Sequence, residues 1–347
     1  MSQPQNRVKR YFAAANSYRG FHSCFESVFD PYSLTRLYIL KGGPGTGKST
    51  FMKKLSCLLK EHSADVEEIL CSSDTNSLDG VIAEKGGVRI AVIDGTAPHA
   101  REPILPGAVD EIIDLGKAWD GSWLTIHKDK IACLAKQKKE SYDAAYSYLK
   151  IAGTCDDYVQ RRITESIDVK KLFFKAKSEA ERFADLPQGS STQRYISAFG
   201  RDGILRLDTL KYLCGETVSI AYDQHISGMY LRELYNCLCR LGIGSVHFPN
   251  ALDSSLTDAI YIPDASLVYV TCGECPTQGM RISEVEKSRI KRAEELRDEA
   301  LLEAKRHFGV ASSVHFELES LYGQAMNFDA LDEIYSEKSA QIINLML

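Results

Sequence analysis

Three residues in this chain are of the types that hold a polyphosphate and its divalent cation: Lys48, Ser49 and, some way downstream, Asp94. The first two close the run Gly42-Gly43-Pro44-Gly45-Thr46-Gly47-Lys48-Ser49-Thr50, which fits the spacing G-x-x-x-x-G-K-[ST]. In that spacing Gly42, Gly45 and Gly47 free the backbone for turns closed to residues with a side chain, so successive N–H groups can face inward around phosphate oxygens. Lys48 is then placed to reach the outer phosphates, and the Ser49 hydroxyl to ligate Mg²⁺. The stretch from Gly42 to Thr50 reads as a phosphate-binding loop.

Such a loop works only between a strand and a helix, and both flanks agree with that. Leu37-Tyr38-Ile39-Leu40-Lys41 is an apolar lead-in, and Phe51 to Lys60 has helical spacing at Met52, Leu55, Leu58 and Leu59. The helix N-terminus adds the positive end of its dipole. Asp94 ends the apolar run Val88 to Ile93, as does the second carboxylate of nucleotide-binding proteins, which supports the magnesium beside Ser49. A strand-end cap is the other reading of Asp94. Beyond it, Gly95-Thr96-Ala97-Pro98-His99-Ala100-Arg101 brings an imidazole and a guanidinium one turn further on. His99 and Arg101 are therefore candidate catalytic or phosphate-sensing groups, or members of a solvated turn.

Length and composition set wider bounds. The 347 residues have room for two domains, each with its own core, and 44% hydrophobic with 26% charged residues is ordinary for a globular chain. A net charge of −5 argues against a broad nucleic-acid surface. The first ten residues are polar, and no apolar run is long enough to span a bilayer, so the expectation is a soluble, cytoplasmic protein. Ten cysteines scattered through apparent helices and strands read as reduced thiols.

Along the chain, residues 8 to 36 suggest a leading hairpin or short helix, Val66 to Cys71 a second strand, and Leu78 to Ile82 a short amphipathic segment. Apolar runs alternating with helical patterns predict a parallel sheet covered by helices, with ligands at the strand C-terminal ends. Residues 129 to 186 have helical spacing throughout, and Arg161-Arg162 there is either a lid clamp on phosphates or a solvated face. The polar run Asp185 to Thr192 then marks a domain boundary.

The second half repeats the first. Arg10-Tyr11-Phe12-Ala13-Ala14 returns as Arg194-Tyr195-Ile196-Ser197-Ala198, and Leu37 to Lys41 as Val218 to Tyr222. Ser77 to Ile82 returns as Ser255 to Ile260, Ile90 to Gly95 as Val268 to Gly273, and Ile167-Asp168-Val169 as Met326-Asn327-Phe328. The chemistry does not return. Matched to Gly42–Ser49 is Asp223 to Tyr230, with Met229 for the lysine and Cys272 for Asp94. An aspartate where a phosphate would sit repels a nucleotide tail. The expected architecture is thus α/β: two tandem P-loop NTPase-like domains, each a mainly parallel sheet flanked by helices with an appended helical subdomain, residues 1–190 with an intact site and 191–347 degenerate. Cys272-x-x-Cys275, with Cys237, Cys239 and His247, lacks the second pair a zinc site needs. Ser283 and Glu286 form a capping box opening a long charged helix.

These residues resemble a family of bacterial tandem P-loop NTPases of the ATPase or nucleotide-kinase-like kind. The resemblance covers essentially the whole chain. It rests on Gly42 to Thr50, on Ser73-Asp74 with Ser77-Leu78-Asp79, on Ile93-Asp94-Gly95-Thr96-Ala97-Pro98-His99, and on Pro106 to Glu111. It implies ATP binding and names no substrate. Many members of that family keep an intact loop in both halves, and this sequence departs from them.

The residues favour ATP over GTP, because neither an N-K-x-D guanine reader nor a D-x-x-G switch is present. The expected function is an ATP-binding, Mg²⁺-dependent ATPase or ATP-gated switch with slow intrinsic turnover, acting with a protein partner. An ATP-dependent kinase of a small-molecule or nucleotide acceptor, and a non-catalytic nucleotide sensor, are the alternatives. Slow turnover follows from the inventory: loop and metal groups are specified, while no motif marks a water-positioning residue.

Overall fold

The structure is a computed structural model that describes residues 8–213, 215–272 and 283–347. In chain order it runs β1 (Lys9–Phe12), β2 (Ala14–Ser17), β3 (Gly20–Ser23), α1 (Phe25–Val28), β4 (Arg36–Lys41), α2 (Lys48–Glu61), β5 (Asp65–Leu70), β6 (Leu78–Lys85), β7 (Val88–Asp94) and β8 (Asp110–Asp114). Then come α3 (Gly121–Ile126), α4 (Lys128–Glu165), α5 (Val169–Glu181), β9 (Thr192–Gln193), β10 (Ser197–Gly200), β11 (Gly203–Arg206), β12 (Glu216–Ile220) and α6 (Gln224–Arg240). The chain ends with β13 (Val246–Pro249), β14 (Thr257–Ile262), β15 (Leu267–Thr271), α7 (Glu284–Gly323) and α8 (Phe328–Met346). The protein is α/β, and none of its described helices is long and apolar enough to cross a membrane.

Two compact units divide the chain. The first holds the residues up to Ala13, Phe25–Asp143 and His307–Leu347; the second holds Ala14–Cys24 and Ala144–Arg306. The repeat boundary expected near residue 190 therefore falls inside the second unit. Helix α4 begins in the first unit and ends in the second, and α7 does the reverse.

In the first unit six strands lie in the order β1-β5-β6-β7-β4-β8. β4 and β7 are neighbours, and Leu37, Ile39, Leu40, Ile90, Ala91, Val92 and Ile93 are fully buried, which is why both strands read as unbroken apolar runs. The sheet is mainly parallel, as the sequence suggested, with five strands running the same way, but it is mixed because of one strand. β6 runs antiparallel to both β5 and β7. Its N-terminal part is the segment expected to be a separate amphipathic piece, and it is a strand because Gly86 and Gly87, at φ 59° and 83°, close a two-residue hairpin into β7. Helix α2 packs Phe51, Met52, Leu55 and Leu59 inward. Phe51 meets Tyr335 of α8 edge-on at 5.1 Å, and Leu134 of α4 clusters with Leu318 and Leu321 of α7.

The second unit has a five-stranded sheet in the order β12-β15-β14-β13-β9, beside the pairs β2-β3 and β10-β11. Strand for strand this matches β4-β7-β6-β5-β1 in order and in sense, including the one antiparallel member, β14. Its core joins Val159, Ile163, Leu172 and Ala176 from α4 and α5 to Leu231, Leu234 and Leu238 of α6 and Ile260 and Tyr269 of the sheet. The two helix starts matched in the sequence have caps of the same kind: Asp168 caps α5 through Lys171 N–H, and Asn327 caps α8 through Ala330 N–H.

Candidate nucleotide site

β4 ends at Lys41 and α2 starts at Lys48, so Gly42–Gly47 is the connection between a central strand and a helix. Gly47, at φ 74°, occupies the cap position of α2, and Gly45 has φ 71°. Both are left-handed positions where a side chain is costly. Thr46 Oγ1 donates to the Gly43 carbonyl at 2.8 Å, folding the loop on itself. Lys48 Nζ donates to the carbonyls of Gly42 and Gly43 at 2.7 and 2.8 Å and stands 3.7 Å from Asp94 Oδ2. Burial pushes Lys48 below the usual lysine range, and Asp94 acts against that. Pro44 is half-buried in the loop, while Thr50, one residue into the helix from Ser49, is exposed.

Asp94 reaches the site because β7 lies parallel to β4, with Leu40 level with Asp94. Its other oxygen, Oδ1, accepts from Thr96 N–H at 2.9 Å and Thr96 Oγ1 at 2.5 Å. Ser49 Oγ accepts from Leu78 N–H at 3.0 Å. Magnesium takes one or two carboxylates with phosphate oxygens and waters, so a hydroxyl and a single aspartate fit its demands once a polyphosphate is bound. Among the described residues no group of three or more His, Cys, Asp or Glu side chains is arranged to hold a metal.

The turn after Asp94 is tied to β4 by Lys41, whose ammonium donates to the carbonyls of Gly95 and Arg101 at 3.1 and 2.7 Å. His99 stacks on Phe25, ring centres 3.9 Å apart, and its Nε2 is 3.2 Å from Asp79 Oδ2. Asp79 is one of the charges acting on Lys48, so His99 belongs to the loop's neighbourhood through that carboxylate. Arg101 is placed differently. Its guanidinium is buried without a hydrogen-bond partner among the described residues, amid the charges of Asp110, Glu26 and Asp30. No hydrogen bond or ion pair there joins it to the loop. Comparison with protein-family models, curated proteins and solved structures finds no match to this chain.

Several groups at the loop carry no local sequence signal. A Cβ on Gly43 would meet the Trp119 ring at 3.3 Å and Tyr322 at 3.7 Å; one on Gly45 would meet the Glu319 carbonyl at 2.5 Å. The segment after α7 runs beside Trp119, with Asp120 N–H donating to Ala325 O and Asn327 N–H to Ala118 O, each at 2.8 Å. Glu319 and Tyr322 lie at the end of a 40-residue helix, and nothing in their own surroundings marks them as loop contacts.

The connection between β12 and α6 in the second unit is shorter. β12 ends at Ile220 and α6 starts at Gln224, so the connection is Ala221–Asp223 where the first unit has Gly42–Gly47. The loop is shortened rather than substituted, and Met229 and Tyr230, matched by sequence to Lys48 and Ser49, instead sit on α6 in the core. In register with Ile220 is Thr271, with Cys272 next, where the first unit has Asp94. Asp223 caps α6, and His225 lies between Asp223 at 3.2 Å and Asp156 at 3.3 Å. Arg297 completes the network, 3.0 Å from Asp156. Burial pulls His225 down, but the two carboxylates outweigh it and raise the imidazole to about 9.

The remaining sequence candidates are accounted for more simply. Arg162 pairs with Glu165 and Glu286 on a helix face. His247 bonds Thr257 and stacks on Tyr235, while Cys275 lies outside the described residues. Ser283 Oγ accepts from Glu286 N–H at 3.2 Å, giving the expected cap at the start of α7.

Proposed function

We propose that the first unit binds Mg-ATP at Gly42–Thr50 and that the chain is an ATPase or ATP-gated switch with slow intrinsic turnover, completed by a protein partner. The observation that supports this reading most is the position of Lys48. Its ammonium is folded back on the carbonyls of Gly42 and Gly43 with Asp94 at 3.7 Å, the resting arrangement of a lysine whose partner is an anion entering the loop. Bound magnesium would be held by Ser49 and Asp94 and would offset charge on the phosphates. Matching strand order in the two sheets, with a loop in one only, supports a tandem pair that has kept a single site.

A second reading, phosphoryl transfer to a small acceptor, draws support from the pair Asp79 and His99 beside the loop, since a carboxylate-oriented imidazole can take a proton from an acceptor hydroxyl. Calorimetry with Mg-ATP tests the common part. One site per chain is expected, lost in Lys48→Ala. Trp119 offers a parallel signal, since it packs against Gly43 and the chain has two tryptophans. Two sites per chain, or unchanged affinity in Lys48→Ala, would overturn the reading. Labelled phosphate passing from ATP to a metabolite would decide for the kinase.

A further inference from the structure

Lys138 of α4 and His315 of α7 meet near the loop, both within the first unit. The Lys138 ammonium donates to His315 Nδ1 at 3.0 Å, which leaves the proton on Nε2, 3.5 Å from Glu319 Oε1. The backbone carbonyl of Glu319 is the group a Cβ on Gly45 would strike at 2.5 Å. Contacts thus run from Lys138 through His315 and Glu319 to the apex of the loop. Neighbouring Lys136 and Lys139 behave differently: both are exposed and pair along α4 with Glu140 and Asp143. Lys138 is half-buried.

The surroundings of Lys138 suit an incoming anion. An ammonium carries three protons, and here one is spent on a neutral imidazole nitrogen. Burial pushes Lys138 down, Cys71 and Glu319 act the other way, and Lys48 is among the charges that lower it. Glu319 acts on Lys48 as well. Two ammonium groups that feel each other in a half-buried space gain from an anion between them, because Coulomb interactions there are screened less than in water.

We propose that Lys138 is the cation that contacts the terminal phosphate of the nucleoside triphosphate held by Gly42–Ser49, and that His315 with Glu319 holds it while the loop is free of nucleotide. This rests on the nucleotide-binding reading above. It supplies the positively charged group that the sequence leaves unmarked, and it gives residues 307–347, which belong to the degenerate repeat, a part in the intact site. A diphosphate lacks the oxygens Lys138 would contact, so the readout is the preference for ATP over ADP.

The experiment is calorimetry of the full chain with Mg-ATP and with Mg-ADP. Lys138→Met should weaken ATP about 10- to 100-fold, the worth of one hydrogen bond between charged groups, and leave ADP within about twofold. Lys138→Arg should keep most of the preference. His315→Ala, which releases Lys138, should raise it, and this variant carries the test should Lys138→Met fail to fold. An unchanged ATP-to-ADP ratio in Lys138→Met, or equal losses for both, overturns the proposal while leaving Lys48→Ala to speak for nucleotide binding itself. A wild-type chain that binds neither nucleotide overturns both.

Discussion

The carboxylate of Asp223 accepts the backbone N–H of His225 at 2.9 Å and lies 3.2 Å from its ring Nδ1, so the first turn of α6 carries its own anion. In the other unit the first turn of α2 has no acidic residue. A buried His225 held between Asp223 and Asp156 is charged in the folded chain, with Arg297 behind Asp156.

That network makes stability depend on pH in a stated direction. His225 is raised from 6.5 to about 9, so the folded state binds the proton more tightly than the unfolded one. Its contribution, on the order of 3 kcal/mol, is fully present below about pH 6.5 and is lost as pH rises through about 9. Calorimetric melting should therefore show a transition that falls between pH 7 and 10. In His225→Gln the fall should be smaller and the pH 7 value lower. Equal pH dependence in both proteins would count against a charged His225.

Asp94→Asn should weaken Mg-dependent nucleotide binding and leave the unliganded melting temperature nearly unchanged. The two bonds from Thr96 go to Oδ1, and an amide oxygen can still accept them; what is lost is the charge facing Lys48 and the proposed metal position. A large loss of unliganded stability would mark Asp94 as a strand-end cap.

Gly45→Ala should cost about 1 to 2 kcal/mol from handedness alone. The new methyl would also press on the Glu319 carbonyl, 2.5 Å away, so nucleotide affinity and melting temperature should fall together. Gly107→Ala is the control: it too has positive φ, at 75°, but its Cβ position is open. Equal effects at the two sites would show that the α7 contact contributes nothing.

The strand and helix that flank Gly42–Gly47, and the strand ending on Asp94, were legible because each depends on neighbours in sequence: glycine spacing, apolar runs and helical periodicity. Mixed sheet direction was also written locally, in Gly86-Gly87 between two apolar runs, but an amphipathic reading of Leu78 to Ile82 hid the hairpin. Lys138, His315 and Glu319 were not legible. They sit in charged stretches of helices that look solvated from their own spacing, and only the return of α7 and α8 to the first unit gives them a role. The second loop misled for a different reason: aligning Asp223 to Tyr230 with Gly42 to Ser49 assumes equal length, whereas the chain is shorter there and α6 starts earlier. Arg101 lay next to a convincing turn, and its side chain is instead enclosed near Asp110.

The passage of α4 and α7 from one compact unit to the other makes the two halves of the chain depend on each other. A chain stopped at residue 190 would keep Leu172 and Ala176 of α5 without the α6 they pack on, and would leave Phe51 of α2 without Tyr335. Neither half is a spare part. A deletion of residues 191–347 would take all of α8 and the C-terminal part of α7 from the first unit together with β9–β15 of the second, so the chain is kept as one heritable piece by helices that pass from unit to unit.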